Sequence, residues 1–196
     1  GFDAPMAKKR ERKIVHPVEE GLAAVGVRHA DVQDVIVTHM HYDHCGNGAL
    51  FPNARFHVQD TEMEYVTGRC MCHHQINHAF EADDVSRMVH RVFAGRVQFH
   101  DGTDEIAPGI TVHKIGGHTK GLQCVRVATQ RGHVVLASDA THFYAHIESR
   151  RVFRVLYNQG DMLEGYNTLE RLASSKGHVI PGHDPLVLAR YPAASK

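Results

Sequence analysis

The 196-residue sequence predicts an α/β (α+β) chain folded as one domain over residues 1–196, and three observations carry that expectation. Short apolar runs of strand character alternate with stretches whose apolar residues recur at helical spacing. No Pro/Gly/Ser-rich linker and no repeated period divides the chain. An apolar fraction of 42% over this length suffices for a sizeable core, while no apolar stretch approaches the roughly 18 residues of a membrane-spanning helix.

Taken in order, Val18 to Val25 reads as a helix, Val35 to Thr38 as a short buried strand and Ala54 to Gln59 as a second strand. Asp60 opens a helix: its carboxylate suits the free N–H groups of a first turn, and Glu62 and Glu64 suit the positive end of the helix dipole. Residues 68–80 carry no clear period. Glu81 to Phe93 is helical, with Val85, Met88, Val89 and Val92 on one stripe. Strands then follow at Val97–Phe99, Ile110–Ile115, Leu122–Ala128 and Val134–Ala137, expected in one sheet, with a hairpin at Gln130-Arg131-Gly132. Asp161-Met162-Leu163-Glu164 is a capping box whose helix sends Leu163, Tyr166, Leu169 and Leu172 to the core and ends at Gly177. His178 to Ile180 is a last short strand.

Lysine and arginine number 22, as do aspartate and glutamate, so the chain is neutral and lacks the positive field that nucleic-acid binding requires. Cys45, Cys70, Cys72 and Cys124 are too few and too uneven for a disulfide framework, and the first 13 residues hold no apolar leader, so a cytoplasmic setting is expected. The basic run from Lys8 to Lys13, broken by Glu11, reads as a solvated face. Histidine stands out: its 18 copies outnumber Phe and Tyr together, and imidazole is the commonest protein ligand for metals.

Those histidines are not scattered evenly. Thr38-His39-Met40-His41-Tyr42-Asp43-His44 follows an apolar strand and places four metal-capable side chains within six residues. His39 and His41, two apart on an extended segment, project to one side, while Asp43 and His44 fall on the next turn, so two ligand pairs suit two metals. Gly116-Gly117-His118-Thr119, Ser138-Asp139-Ala140 and Pro181-Gly182-His183-Asp184 each sit at a strand end, two of them with glycines that permit a tight turn aiming the next side chain. Cys70-Met71-Cys72-His73-His74 lacks paired zinc-ligand spacing and reads as structure or pocket lining. There is no G-x-S-x-G elbow, phosphate loop or dinucleotide motif.

This set resembles the metallo-β-lactamase superfamily, whose signature is HxHxDH, a downstream Gly-His, a bridging Asp and a last Gly-His. The resemblance implies that family's αβ/βα sandwich, with one zinc on His39, His41 and His118, a second on Asp43, His44 and His183, and Asp139 bridging both. Manganese, iron or cobalt also suit mixed His and carboxylate sites. It implies hydrolysis by a hydroxide shared between the ions, with Asp43 passing the proton to the leaving alkoxide. Gly1-Phe2-Asp3 is similar to the end of the family's Asp-Thr-Gly turn, which most strands of the first sheet precede. The chain is therefore expected to lack those strands, and a lone half-sheet with an exposed face and edge argues for a piece of a longer protein.

Within the superfamily, Phe51 to Asp60, Gly116 to Gln123, Ala137 to Ala140 and Pro181 to Pro185 resemble the N-acyl-homoserine lactonases, which open a small lactone and quench quorum signalling. That branch usually carries a tyrosine three residues after the bridging Asp, where its hydroxyl assists the substrate carbonyl. Here the position is His142, with Tyr144 two residues further, so the assisting group is His142 or Tyr144. Met63, Tyr65, Met71 and Phe80 lie in the expected lid. The resemblance leaves three alternatives: a glyoxalase-II-like thioesterase, another small-molecule lactonase, or a non-catalytic metal-binding relative. The partner expected is a small lactone or ester, without nucleic acid or membrane, met by a monomer or homodimer.

Overall fold

The computed structural model describes residues 1–191 and comprises two compact units, the first from residues 1–58 and 66–98, the second from residues 59–65 and 99–191. In chain order the helices are α1 (Ala4–Lys9), α2 (Val18–Ala24), α3 (Tyr42–Cys45), α4 (Asp60–Val66), α5 (His74–Asn77), α6 (Ala82–Phe93), α7 (Tyr144–Ser149), α8 (Gln159–Leu172) and α9 (Leu186–Arg190). The strands are β1 (Asp34–Ile36), β2 (Arg55–Gln59), β3 (Val97–His100), β4 (Thr103–Ala107), β5 (Ile110–Lys114), β6 (Gln123–Thr129), β7 (Gly132–Ser138) and β8 (Val179–Pro181). No helix among the described residues is long and apolar enough to cross a membrane.

In the first unit, β1 pairs parallel to β2 with Val35 opposite Phe56, and the sheet runs in the order β1-β2-β3. Phe56 and Val58 are buried, and the guanidinium of Arg91 lies 4.4 Å from the Phe56 ring centre, a cation–π contact that ties α6 to β2. Met88 is buried on the predicted stripe, with Val85, Val89 and Val92 half-buried beside it. Strand β3 departs from expectation, joining this sheet rather than that of the later strands. The chain leaving α6 returns beside β2, where Phe56 N–H donates to Arg96 O at 2.8 Å. The basic run is also not wholly a solvated face. Asp3 caps α1 by accepting from Met6 N–H, and Lys9 and Arg10 then reach the Glu81 carboxylate, at 2.5 Å from the lysine ammonium.

The second unit holds the sheet β4-β5-β6-β7-β8, antiparallel except for the β7–β8 pair. Thr129 pairs with Gly132 across the predicted hairpin, and Gly132 takes a φ of +108° that an L side chain resists. Leu122, just before β6, and Cys124, Val135 and Ala137 of the sheet pack with Met162, Tyr166 and Leu169 of α8 in one buried cluster. Helix α8 begins two residues before the expected capping box, because the Asn158 side chain accepts from Asp161 N–H at 3.2 Å and so supplies the cap. It ends at Leu172, and Gly177 lies beyond it in a 3-10 turn. Glu62 differs as well. Rather than merely facing the helix dipole, its carboxylate is fully buried and accepts from Thr119 Oγ1 at 2.7 Å and Gly121 N–H at 3.0 Å.

All four cysteines are free thiols, as expected. Burial pushes the Cys124 thiol up to about 12, whereas Cys72 is exposed. An alkylating probe on the native protein therefore labels Cys72 first and leaves Cys124 untouched until unfolding, a sequence readable by peptide mass spectrometry. Early labelling of Cys124 would contradict the packed cluster around it.

Candidate metal centre

The HxHxDH segment lies wholly in the first unit. Past β1, Val37 N–H still donates to His57 O at 2.9 Å, which carries the extended chain on to His39. His39 is fully buried and His41 nearly so, and the buried Met40 between them anchors the segment in the core. The rings meet with His39 Nε2 3.1 Å from His41 Nδ1. Two imidazole nitrogens bound to one tetrahedral zinc at about 2.0–2.1 Å would stand about 3.3 Å apart, so this pair fits a shared metal ion. The chain then turns into α3, where His44 N–H and Cys45 N–H both donate to His41 O, and Asp43 and His44 come round together with 3.6 Å between Oδ2 and Nε2. The His39 and His44 ring centres are 4.1 Å apart, and Phe80 packs edge-on against His41 at 4.4 Å. Phe80 and Met71, from the expected lid, also line a cavity of about 440 Å³ with Val66, Asn77, Val85 and Ser86.

The other candidates gather in the second unit around one carboxylate. Gly116 and Gly117 take φ values of +72° and +83°, and a Cβ on Gly117 would lie 2.6 Å from Met162 Cα, so only glycine lets this turn pass the start of α8. His118, next in line, directs its Nδ1 to Val155 O at 2.7 Å. A carbonyl only accepts, so Nδ1 carries the proton, and Nε2, the nitrogen left to serve as a metal ligand, faces Asp139 Oδ2 at 3.3 Å.

Asp139 follows β7 through Ser138, whose φ of +48° is a left-handed conformation that costs a non-glycine residue energy and here turns the carboxylate inward. Gly182 makes room for it, since a Cβ there would lie 2.8 Å from Asp139 Oδ1. The loops are pinned to one another by Gly182 N–H donating to Thr141 O and His183 N–H to His142 O, both at 3.0 Å. The result is a buried carboxylate with three imidazoles on it: His142 Nε2 at 2.8 Å, His183 Nε2 at 3.1 Å and His118 Nε2 at 3.3 Å. His142 thus joins Asp139. Tyr144 is seated differently, with its N–H donating to Asp184 Oδ2 at 2.9 Å, the Arg190 guanidinium 3.8 Å from its ring centre, and its hydroxyl pKa raised by burial.

Sequence reading did not anticipate Val155, which orients His118, or Phe153, whose ring stacks on His142 at 3.6 Å. Neither leaves a local signal. A carbonyl acceptor is independent of side chain, and one aromatic in an irregular stretch looks like any core residue.

Residues 1–188 match the model of the metallo-beta-lactamase superfamily. The chain is 29% identical over 175 residues to the N-acyl homoserine lactonase AttM of Azorhizobium caulinodans, a match covering 83% of this chain and 62% of that relative. It is 27% identical over 139 residues to the N-acyl homoserine lactonase AiiA of Bacillus thuringiensis subsp. kurstaki, covering 67% and 48%. The chain therefore spans about half to three-fifths of these relatives' length. Among solved structures, a quorum-quenching N-acyl homoserine lactone lactonase aligns with a TM-score of 0.78 at 21% identity, over 99% of this chain and 76% of the other. An N-acyl homoserine lactone hydrolase with N-hexanoyl-L-homoserine at its catalytic metal centre aligns at 0.73 and 22% identity, over 90% and 66%. At these identities the solved structures speak for the fold, which is the one expected. The chain belongs to the metallo-β-lactamase superfamily and resembles its N-acyl-homoserine lactonases.

Proposed function

We propose that this chain carries the core of a dinuclear zinc hydrolase that opens the lactone ring of N-acyl-homoserine lactones. The observation that carries the reading is the buried Asp139 carboxylate with three imidazole nitrogens 2.8–3.3 Å away, in a chain of this superfamily. The assignment of His39, His41 and His118 to one ion, of Asp43, His44 and His183 to the other, and of Asp139 to both follows the family pattern. Its supports are the order of the motifs along the chain and the donor chemistry of each set taken separately. When bound, the two ions would polarise a lactone carbonyl and lower the pKa of a water toward about 7.

The protein's own contribution is orientation and proton handling. Val155 O fixes the His118 tautomer, and the turn of α3 sets Asp43 beside His44. Asp43 takes the proton of the attacking water and returns it to the ring oxygen as the ester C–O bond breaks. Water is consumed, the products are a carboxylic acid and an alcohol in one molecule, and the acid loses one proton near neutral pH. Of the two groups considered for the carbonyl, His142 is the one at Asp139.

The test follows that proton by pH-stat, with a short- and a long-chain N-acyl-homoserine lactone, zinc-loaded protein, chelated protein and His118→Ala. Proton release by the loaded protein is expected to disappear in both controls. Absence of release on either lactone, with two metals bound per chain, would overturn the reading in favour of another ester or a thioester.

A further inference from the structure

We propose that His142 is itself a metal ligand, a further imidazole on the ion that His118 and Asp139 would hold. The inference rests on the metal-centre reading above and adds a donor that the superfamily signature does not contain.

The first support is position. His118, Asp139 and His142 each offer a ligand atom, and those atoms all lie within 4.8 Å of one another in a mostly buried setting. His142 Nε2 approaches Asp139 Oδ2 at 2.8 Å, closer than either imidazole that the family pattern assigns. The second support is orientation. The Phe153 ring lies parallel to His142, 22° between planes and 3.6 Å between centres, and the same ring packs against His118 at 5.4 Å. One aromatic side chain therefore sets the planes of two imidazoles that face one carboxylate. The backbone adds a third constraint, since His142 O accepts from His183 N–H and couples the two histidines. A ring held this way points a fixed nitrogen at a fixed place, as a ligand requires and a solvated histidine does not.

Chemistry separates this side chain from the tyrosine that the resembling lactonases carry at the same position. A phenol with a pKa near 10 is a neutral hydrogen-bond donor at pH 7, whereas a neutral imidazole has a ring lone pair that divalent zinc, cobalt or iron accepts readily. Exchanging one for the other turns a group that assists a substrate oxygen into one that competes with it for a coordination position. The ion that His118 and Asp139 would hold is then held more tightly, and its site is more closed until His142 is displaced.

The test uses the metal-free chain titrated with cobalt(II), as wild type, His142→Phe and His142→Tyr. Phenylalanine keeps a ring against Phe153, and His142→Gln replaces it should the metal-free variant melt early, because glutamine keeps a polar contact to Asp139 without an imidazole. Cobalt affinity is expected to fall at least about tenfold in each variant. The proton NMR spectrum of the cobalt-loaded variants is expected to lose one strongly shifted, solvent-exchangeable ring N–H signal, since each bound neutral imidazole contributes one. Unchanged affinity and an unchanged number of shifted signals would overturn the inference while leaving the metal centre standing, with His142 a hydrogen-bond partner of Asp139. Failure of the wild type to take up cobalt would overturn the metal-centre reading and this inference together.

Discussion

Asp139→Asn is expected to lower kcat/KM on an N-acyl-homoserine lactone by at least about 10³-fold, equivalent to about 4 kcal/mol of transition-state stabilisation. The side chain is 4% exposed, and three imidazoles approach its carboxylate within 3.3 Å. Asparagine is nearly isosteric, so the loops carrying Ser138 and Gly182 keep their contacts. What changes is charge and donor type. A neutral amide no longer balances a dication, and its NH₂ group can donate to His118 Nε2, occupying the lone pair that a metal would use. Metal content should fall with activity, and chelator should lower the melting temperature of the wild type but not of the variant, since only the former has bound metal to lose. Activity within tenfold of wild type, at full metal content, would sink the role given to Asp139.

The candidate site was legible in the sequence because its elements are local. HxHxDH is one segment, and His118, Asp139 and His183 each stand at a strand end marked by glycine or by a change of pattern. Strands β5, β6 and β7 were readable for the same reason, as apolar runs ended by turn residues. What escaped depends on partners distant along the chain. Strand β4 is an edge strand whose Thr103, Asp104 and Glu105 are exposed, so it carries almost no apolar signal. The sequence marks β3 as a strand, but its pattern does not reveal whether it pairs with β2 or β4. Glu62 resembles any first-turn acid until Thr119 and Gly121, almost sixty residues later, arrive to bond it. The start of α8 is ambiguous in the sequence because Asn158 and Asp161 are both good caps, and only the structure shows which side chain accepts from which N–H.

The largest loss of stability is expected from Gly121→Ala, although the change adds a single methyl group. Gly121 needs no left-handed conformation; its constraint is contact. A Cβ there would lie 2.1 Å from Glu62 N and 2.5 Å from Glu62 Cα, which are backbone atoms with no rotamer to yield. The strand start and α4 must therefore separate. That movement strains both bonds to the buried Glu62 carboxylate and disturbs Leu122 and Gln123, fully buried at the next two positions, along with the 2.8 Å hydrogen bond from Gln59 to Gln123. Overpacking alone costs about 1–3 kcal/mol, and a buried carboxylate deprived of donors adds to it, so a total of at least about 3 kcal/mol is expected. For a chain of this size that is a fall in Tm of roughly 6–12 °C. His118 lies three residues upstream in the same turn, so metal retention should weaken in parallel. Gly21→Ala is the control, because Gly21 sits inside α2 with nothing within 4 Å of its Cβ position, and alanine should stabilise that helix by about 0.5–1 kcal/mol. Opposite signs for the same chemical change would locate the effect in the Gly121–Glu62 approach, and a Gly121→Ala protein melting within about 2 °C of wild type would mean that α4 does not pack there as closely as described.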